Sequence, residues 1–243
     1  MFAAAQTSGQ FYMEKESYAL GEPIFVQLKV VNHGPKAEAF YADDRSSLQP
    51  ICSPYRIRVS RVWPVEVHHL SCPPRGISIG CGPRKIELQP GETYVDRVLL
   101  NIHHKVDAAG TYTVEALYGR VSEVQPENTT EIQSTLHFVV DEKPAGERVF
   151  EPWVAQLHST DPMERLEAAR ILASVAPRSL EDTLLTFAND RWIRQYAPLA
   201  FHRLNTPRST AAMNELLANS EPGTWERRKA SEYLANDQCA GDY

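Results

Sequence analysis

The sequence predicts an all-β unit followed by an all-α unit: a β-sandwich and then a short solenoid of paired α-helices. Before about residue 145, short apolar segments alternate with polar residues and are separated by glycine and proline turns, which is typical of strands. Beyond that point glycine is nearly absent, and Leu, Ala, Arg and Glu recur at helical spacing. These observations place the sandwich in residues 8–143 and the helical repeats in residues 149–236.

The first clear strand follows a turn at Gly21 and Pro23. Its even-numbered residues from Ile24 to Val30 are aliphatic, which predicts one strongly apolar face because successive side chains of a strand point to opposite faces. Similar segments continue to residue 140 and give about eight or nine strands at the spacing of a sandwich. The other predicted strands are residues 11–15, 37–41, 56–62, 65–70, 85–88, 94–101, 111–118 and 132–140.

A tyrosine near the start of one predicted strand indicates which type of β-sandwich the chain forms. Tyr112 is preceded by Asp107 and Gly110, an order that is typical of the tyrosine corner, in which the hydroxyl bonds to upstream backbone and fixes the corner. Two residues later, Val114 stands where antibody domains carry a cysteine. We therefore expect aliphatic packing in place of a disulfide between the sheets.

Three segments resemble the immunoglobulin-like domains of bacterial extracytoplasmic proteins. They are YALGEPIFVQLKVVNHG, LQPGETYVDRVLLN and AGTYTVEALY. Such domains include sandwiches similar to the BsuPI-type proteinase inhibitor. The resemblance covers roughly residues 10–140, and it implies an immunoglobulin-like fold far more than it implies an activity.

The second half contains three signals for the start of a helix. Asp161 and Thr206 each stand before a proline, and a capping side chain followed by proline is favoured at this point of a helix. Glu164 follows Asp161 and predicts a capping box there. Ser179 with Asp182 forms the third signal.

An Arg-x-x-Ala pattern recurs at Arg165, Arg194 and Arg227, with periods of 29 and 33 residues. A period near 30 residues with two helices in each unit resembles a short HEAT-like repeat, although standard HEAT and armadillo units have about 40–47 residues. We expect Pro198 to kink the inner helix of the second unit. The residues expected to dock the first helix on the sandwich are Val149, Phe150, Trp153 and Val154.

The repeated arginines allow two interpretations. They form a ladder that binds anions, or they bond to Asp side chains and carbonyls of the preceding turn. We favour the second interpretation, because Asp161 lies four residues before Arg165 and Asp190 lies four residues before Arg194.

The charge of the chain argues against a polyanionic partner. Residues 1–149 hold 15 Lys and Arg against 18 Asp and Glu, and residues 150–243 hold 10 against 13, so each half carries −3 of the net −6. Nucleic-acid binding normally needs a basic face or stripe, so the sequence predicts no nucleic-acid partner. No apolar run reaches the roughly 18 residues that a membrane span requires.

The N-terminal residues and the cysteines both favour a location outside the cytoplasm. Residues 2–6, with the sequence FAAAQ, resemble the small-residue end of a secretory signal, so we expect a periplasmic or secreted protein whose signal peptide has been removed. The four cysteines are an even number, which an oxidising compartment tends to pair. Cys72 with Cys81 and Cys52 with Cys72 are both plausible pairs, and Cys239 is the fourth cysteine.

The candidate catalytic and metal-binding residues lack the context that their chemistry needs. Ser78 lies in a G-x-S-x-G match, but Pro73-Pro74 before it and Gly82-Pro83 after it leave no strand and helix for a nucleophile elbow. The histidine pairs 68–69 and 103–104 would point to opposite faces of a strand, so a zinc site with the cysteines is disfavoured. A sugar-stacking platform of Trp63, Tyr55 and Tyr41 is also disfavoured against a core role.

The sequence therefore predicts a protein that is not an enzyme, uses no cofactor and binds a protein partner through its solenoid, since stacked helices form extended binding faces. The alternative is a proteinase-inhibitor-like sandwich that presents a loop stapled by a disulfide between Cys72 and Cys81. The identity of the partner and the oligomeric state are not specified by the sequence.

Overall fold

The computed structural model describes residues 7–42, 55–62, 84–102, 104, 106–119 and 131–235. In these residues the chain forms nine β-strands and then six α-helices, which confirms that it combines β and α structure. None of the helices in this part of the chain has the length and hydrophobicity needed to cross a bilayer. The strands are β1 (Thr7–Met13), β2 (Ser17–Leu20), β3 (Phe25–Asn32), β4 (Glu38–Ala42), β5 (Tyr55–Val62), β6 (Arg84–Leu88), β7 (Thr93–Leu99), β8 (Gly110–Tyr118) and β9 (Ile132–Pro144).

Within the described residues, the strands pair into three sheets. One sheet has the order β1-β3-β7 and is antiparallel throughout, and β4 pairs with β6 in a second antiparallel sheet. The third has the order β2-β9-β8-β5, in which β2 runs parallel to β9 and the other pairs are antiparallel. Because β2 pairs with β9, the beginning of the β half is hydrogen-bonded to its end.

Side chains from all three sheets fill one hydrophobic core. Val26, Leu28 and Val30 of β3 are fully buried in it, as their alternation predicts. Phe40 of β4 stacks on Tyr118 of β8 with ring centroids 4.8 Å apart, which joins the small sheet to the four-stranded one. The sheets are thus held together by apolar packing as well as by the chain that connects them.

One strand was missed and one lies outside the described residues. β2 is only four residues long, and its buried residue Tyr18 is followed by half-buried neighbours, so it offers no alternation to detect. The predicted strand at residues 65–70 falls among residues that the structure does not describe.

The corner before β8 has the geometry expected of a tyrosine corner. The Tyr112 hydroxyl donates a hydrogen bond to the Ala108 carbonyl at 2.7 Å, and its ring stacks on Phe138 of β9 at 5.1 Å. Gly110 has φ +146°, and a Cβ there would lie 2.8 Å from the Arg61 Nε. The backbone conformation therefore favours a glycine at this point, and a larger residue would also displace the Arg61 side chain.

The helical half begins shortly after β9 ends. A single 3₁₀ turn, Glu147–Val149, leads into the first helix. The helices are α1 (Glu151–Gln156), α2 (Pro162–Val175), α3 (Glu181–Leu185), α4 (Ala197–Leu204), α5 (Pro207–Asn219) and α6 (Trp225–Leu234).

Two of the three predicted helix caps form. The Asp161 carboxylate accepts from the Met163 backbone N–H at 2.8 Å at the start of α2. The predicted capping box is wrong there, because Glu164 instead accepts from the Ser159 hydroxyl at 2.6 Å. A capping box forms at α5, where the Thr206 and Ser209 side chains each bond the other's backbone N–H.

Two further expectations about the helices are wrong. The N-cap of α3 is Leu180, which makes no side-chain cap bond, so Ser179 and Asp182 do not form the predicted cap. Pro198 does not kink a helix, because α4 begins at Ala197 and the proline therefore lies in its first turn. A proline is tolerated there, since the first N–H groups of a helix have no intrahelical acceptor.

The helices pack in pairs, α1 with α2, α3 with α4 and α5 with α6. The second members also contact one another in sequence, α2 against α4 and α4 against α6. Small side chains permit the close approach, because Ala168, Ala197 and Ala230 are all fully buried. The Arg-x-x-Ala pattern thus places a buried alanine in each of α2, α4 and α6.

The two halves share a second hydrophobic core at their junction. Phe25, Leu99 and Ile102 from the β half belong to the same buried cluster as Phe150 and the helix residues. The Phe25 and Trp153 ring centroids lie 6.1 Å apart. The Arg97 guanidinium covers the other side of Phe25, with its carbon 4.1 Å from the ring centroid.

Replacing Phe25 by alanine should destabilise the protein by about 3–5 kcal/mol, because the ring is 2% exposed and its loss leaves a cavity at the junction. The matched control is Val95→Ala in β7, where the side chain is 41% exposed and the expected change is within about 0.5 kcal/mol. Urea unfolding measures both. Equal losses for the two variants would contradict the role of Phe25.

Stability should fall between pH 10 and 12, because burial raises the pKa of Tyr196 to about 12. The folded state favours the neutral phenol, so this contribution is complete below the ordinary pKa of about 10 and is lost as pH rises towards 12. Tyr196 should account for about 2–3 kcal/mol of the fall.

The comparison variant is Tyr196→Phe, which keeps the ring. Among the described residues the Tyr196 hydroxyl has no hydrogen-bond partner, so its removal should cost little at pH 8. Urea unfolding at pH 8, 10 and 11 should show a shallower decline for the variant. Parallel declines would refute the assignment.

Candidate functional site

The repeated arginines link successive units of the helical half. The Arg165 guanidinium donates to the Asp190 carboxylate, which also accepts from the Trp192 backbone N–H at 2.9 Å. The expectation that Arg165 bonds to Asp161 of its own unit is therefore corrected. Asp161 caps α2, whereas Arg165 reaches the start of the next unit.

The second link is centred on Ser220. The Arg194 guanidinium donates to the Ser220 hydroxyl at 3.0 Å, and Arg227 donates to the Ser220 carbonyl at 2.7 Å. Asp190 bonds to Arg194 through its backbone carbonyl and not through its carboxylate. The carbonyl accepts a hydrogen bond from the Arg194 backbone N–H at 2.8 Å. Arg165 and Arg194 thus tie successive units, whereas Arg227 bonds within the third unit, and the contacts of the three arginines do not form a ladder of open anion sites.

These ties bring three large side chains to equivalent places in successive units. Met163, Trp192 and Trp225 each precede a repeated arginine by two residues, so they follow the same periods of 29 and 33. Met163 is 52% exposed and Trp192 is 45% exposed, while Trp225 is half-buried. We call Met163, Trp192 and Trp225 the apolar row.

Cations lie against both indoles of the apolar row. The Arg191 guanidinium carbon is 5.0 Å from the Trp192 ring centroid, and that of Arg228 is 4.8 Å from the Trp225 centroid. Lys229 Nζ is 5.0 Å from the same Trp225 ring. At these distances a cation is attracted by the face of an indole, so the row combines aromatic surface with positive charge.

A cavity of about 170 Å³ lies where the two halves meet. Its walls include Asn101, His104 and Asp107 from the β half and Ser174 and Arg203 from the helices. Several of these groups form hydrogen bonds with other residues of the fold.

The contacts in the cavity wall join neighbouring elements. Arg203 donates to the Asn101 carbonyl at 3.2 Å, the Asn101 side chain accepts from the Ile24 N–H at 2.7 Å, and the Ser174 hydroxyl bonds within α2 to Ile171 at 2.8 Å. The cavity can hold a few water molecules or a small polar molecule.

Several candidates from the sequence fall outside the described residues. They are Cys52, Cys72, Cys81, Cys239, Ser78, His68, His69, His103 and Trp63, together with the side chains of Tyr41 and Tyr55. The disulfide-stapled loop is therefore not described. In the described ranges, no group of three or more His, Cys, Asp and Glu side chains is arranged to hold a metal ion.

The comparisons with known proteins identify no family for this chain. No family model matches the chain, and no curated protein matches it either. A mutant β-glucosidase from Listeria innocua in complex with laminaribiose has 11% identity and a TM-score of 0.29, with 59% of this chain and 17% of that chain covered. A β-glucosidase from Erythrobacter marinus has 19% identity and a TM-score of 0.25, with 54% and 15% covered.

These neighbours correct one prediction from the sequence. They are enzymes, which contradicts the prediction that the protein is not an enzyme, and that prediction is withdrawn. This chain spans less than a fifth of each neighbour's length, and the TM-scores are under 0.3, so the likeness carries no argument about substrate or activity.

The apolar row was not predicted from the sequence, although the signal was present. The repeat was aligned on its arginines and alanines, which proved to be tie and packing positions. Extending the same alignment two residues towards the N-terminus would have placed Met163, Trp192 and Trp225 in one column. What the alignment could not show is that two of these three residues are exposed.

The tie between the first two units should be measurable as a coupling energy. In a double-mutant cycle with Arg165→Ala and Asp190→Ala, we expect about 1 kcal/mol, because both side chains are partly buried, at 23% and 29% exposed. The matched pair is Arg208 with Asp182, which are 61% and 87% exposed and should couple more weakly because solvent screens both charges. Coupling no larger than in this control pair would contradict the proposed tie.

Proposed function

We propose that this protein binds a protein partner outside the cytoplasm, and that the apolar row on its helical half is the contact surface. The observation that carries the proposal is the exposure of Met163 and Trp192, which lie two residues before Arg165 and two residues after Asp190, the two residues of the first tie. Large apolar side chains at 40% exposure or more are rare in the described residues, where Val95 and Val139 are the other two. A cluster of such residues is typical of a binding surface.

The composition of the row also supports protein binding. Tryptophan and arginine are the residues most enriched among those that dominate binding energy at protein interfaces, and methionine is enriched there too. The row extends over three successive helix pairs, so its length is at least two helix spacings, or about 16–20 Å. This length suits contact with a partner segment or a helix face.

We propose the finer architecture on the same basis. The paired helices, the contacts of α2 with α4 and of α4 with α6, and the recurring buried alanine support a short HEAT-like stack. The shared core of the sheets and the Tyr112 corner support an immunoglobulin-like sandwich. An extracytoplasmic location is supported by the even number of cysteines, which an oxidising compartment tends to pair.

The test compares partner capture by two double variants of the full chain. Met163→Ala with Trp192→Ala removes the exposed part of the row, and Val95→Ala with Val139→Ala removes two side chains of similar exposure from the sheets. Each immobilised protein is exposed to a cell-envelope extract of the source organism, and retained proteins are quantified by mass spectrometry. Any captured partner is then purified, and its affinity for each variant is measured by calorimetry.

The row variant should lose at least about tenfold in affinity, because truncating a central interface residue costs more than about 1–2 kcal/mol. The sheet variant should bind like the wild-type protein. Since all four residues are exposed, both variants should fold with nearly unchanged stability. Equal binding by the wild-type protein and the row variant would refute the proposal.

A further inference from the structure

The charge beside the apolar row differs from that of the rest of the helical half. Residues 190–194 and 224–228 contain four arginines and two acidic residues, a net charge of +2, whereas residues 150–243 carry −3. One of the two acidic residues, Asp190, already accepts from Arg165. The surface around Trp192 and Trp225 is therefore a local positive region on an acidic unit.

Two guanidiniums of this region have no carboxylate partner within the described part of the chain. They belong to Arg191 and Arg228, and they lie against the faces of Trp192 and Trp225. A guanidinium that lies against an indole through its planar face still has its N–H donors at the edge of the plane. Those donors match the two oxygens of a carboxylate, which they can bind in a bidentate manner.

The separation of the two guanidiniums sets the spacing of their ligands. Arg191 precedes α4 in the second unit and Arg228 lies in α6 of the third, and these helices pack directly against each other. Packed helices lie about 8–10 Å apart. A polyproline II segment has three residues per turn and advances about 3.1 Å per residue, so two carboxylates about three residues apart lie on one face at about that separation.

We propose that the apolar row binds a protein segment in which two carboxylates, about three residues apart in a polyproline II conformation, flank apolar side chains. The carboxylates bind Arg191 and Arg228, and the apolar side chains between them pack on Trp192, Trp225 and Met163. The inference rests on the proposed function, because it names the chemistry of the partner for that same surface. The competing ligand class is a single-stranded nucleic acid, whose bases would stack on tryptophan and whose phosphates would bind arginine. The test distinguishes this class from an acidic protein segment.

The test selects ligands from a random pool of peptides. A phage-displayed library of random 12-residue peptides is selected on the wild-type full chain, with counter-selection on Trp192→Ala. We expect the surviving peptides to be enriched in Asp and Glu at a spacing of about three residues, with apolar residues between them. Representative peptides are synthesised, and their affinities are measured by fluorescence anisotropy.

Two charge-reversal variants separate local charge from net charge. Arg191→Glu with Arg228→Glu should weaken the selected peptides at least about tenfold, and raising NaCl from 0.1 to 0.5 M should weaken their binding to the wild-type protein. The matched control is Arg148→Glu with Arg178→Glu, which changes the same total charge at two exposed arginines away from the row. The control should bind the peptides as the wild-type protein does.

Other outcomes overturn the inference in distinguishable ways. Peptides that depend on Trp192 but lack acidic residues, or that are unaffected by the Arg191 and Arg228 reversal, would refute the acidic partner and leave the proposed function standing. If the selection recovers no peptide whose binding depends on Trp192, the inference is overturned, and the result also counts against the proposed function. If a 20-nucleotide oligothymidylate binds with micromolar affinity, and if the Arg191 and Arg228 reversal abolishes that binding, the ligand class is single-stranded nucleic acid and not an acidic protein segment.

Discussion

The packing of Phe25 against the helices is the contact on which the arrangement of the two halves depends. β3 contributes to both cores, because Val26, Leu28 and Val30 belong to the core of the sheets while Phe25, at the start of the strand, belongs to the helical cluster. A helical unit of roughly 90 residues has little apolar area of its own to bury. The β half therefore supplies part of the core that holds the first helices in place.

From that fixed end, the helical half is extended by one tie for each successive unit. Arg165 reaches Asp190 between α3 and α4 of the second unit, and Arg194 reaches Ser220 between α5 and α6 of the third. Each tie joins the segments at which consecutive inner helices begin. The same segments carry Met163, Trp192 and Trp225, so the contacts that hold the stack together also align the apolar row.

The apolar row and the junction cavity use their polar groups differently. Around the cavity, Arg203, Asn101 and Ser174 are engaged in hydrogen bonds that join neighbouring elements, so that region supports the fold. Along the row, Arg191 and Arg228 lie on the faces of tryptophans at the surface. The weak structural likeness to β-glucosidases bears on neither region, since it is a similarity of chain trace at low TM-score.

Much of the β half was predictable because its signals are local. The alternation from Ile24 to Val30 and the order of Asp107, Gly110 and Tyr112 depend on neighbours within one strand or turn, and the structure places those residues accordingly. β2 was missed because four residues are too few to show a period. Pro198 was misread because its effect depends on where α4 begins, and that start is fixed by packing across the stack.

The sequence by itself determined the division into a β half and an α half, the caps at Asp161 and Thr206, and the repeat of Arg165, Arg194 and Arg227, because each follows from residues that are close in the chain. Only the tertiary structure decided that Arg165 pairs with Asp190 and not with Asp161. It also decided that Phe25 packs in the core of the helices and that the apolar row reaches the surface. The physical reason is that these outcomes depend on contacts between residues about 25 to 130 positions apart, whose free energies no local pattern records.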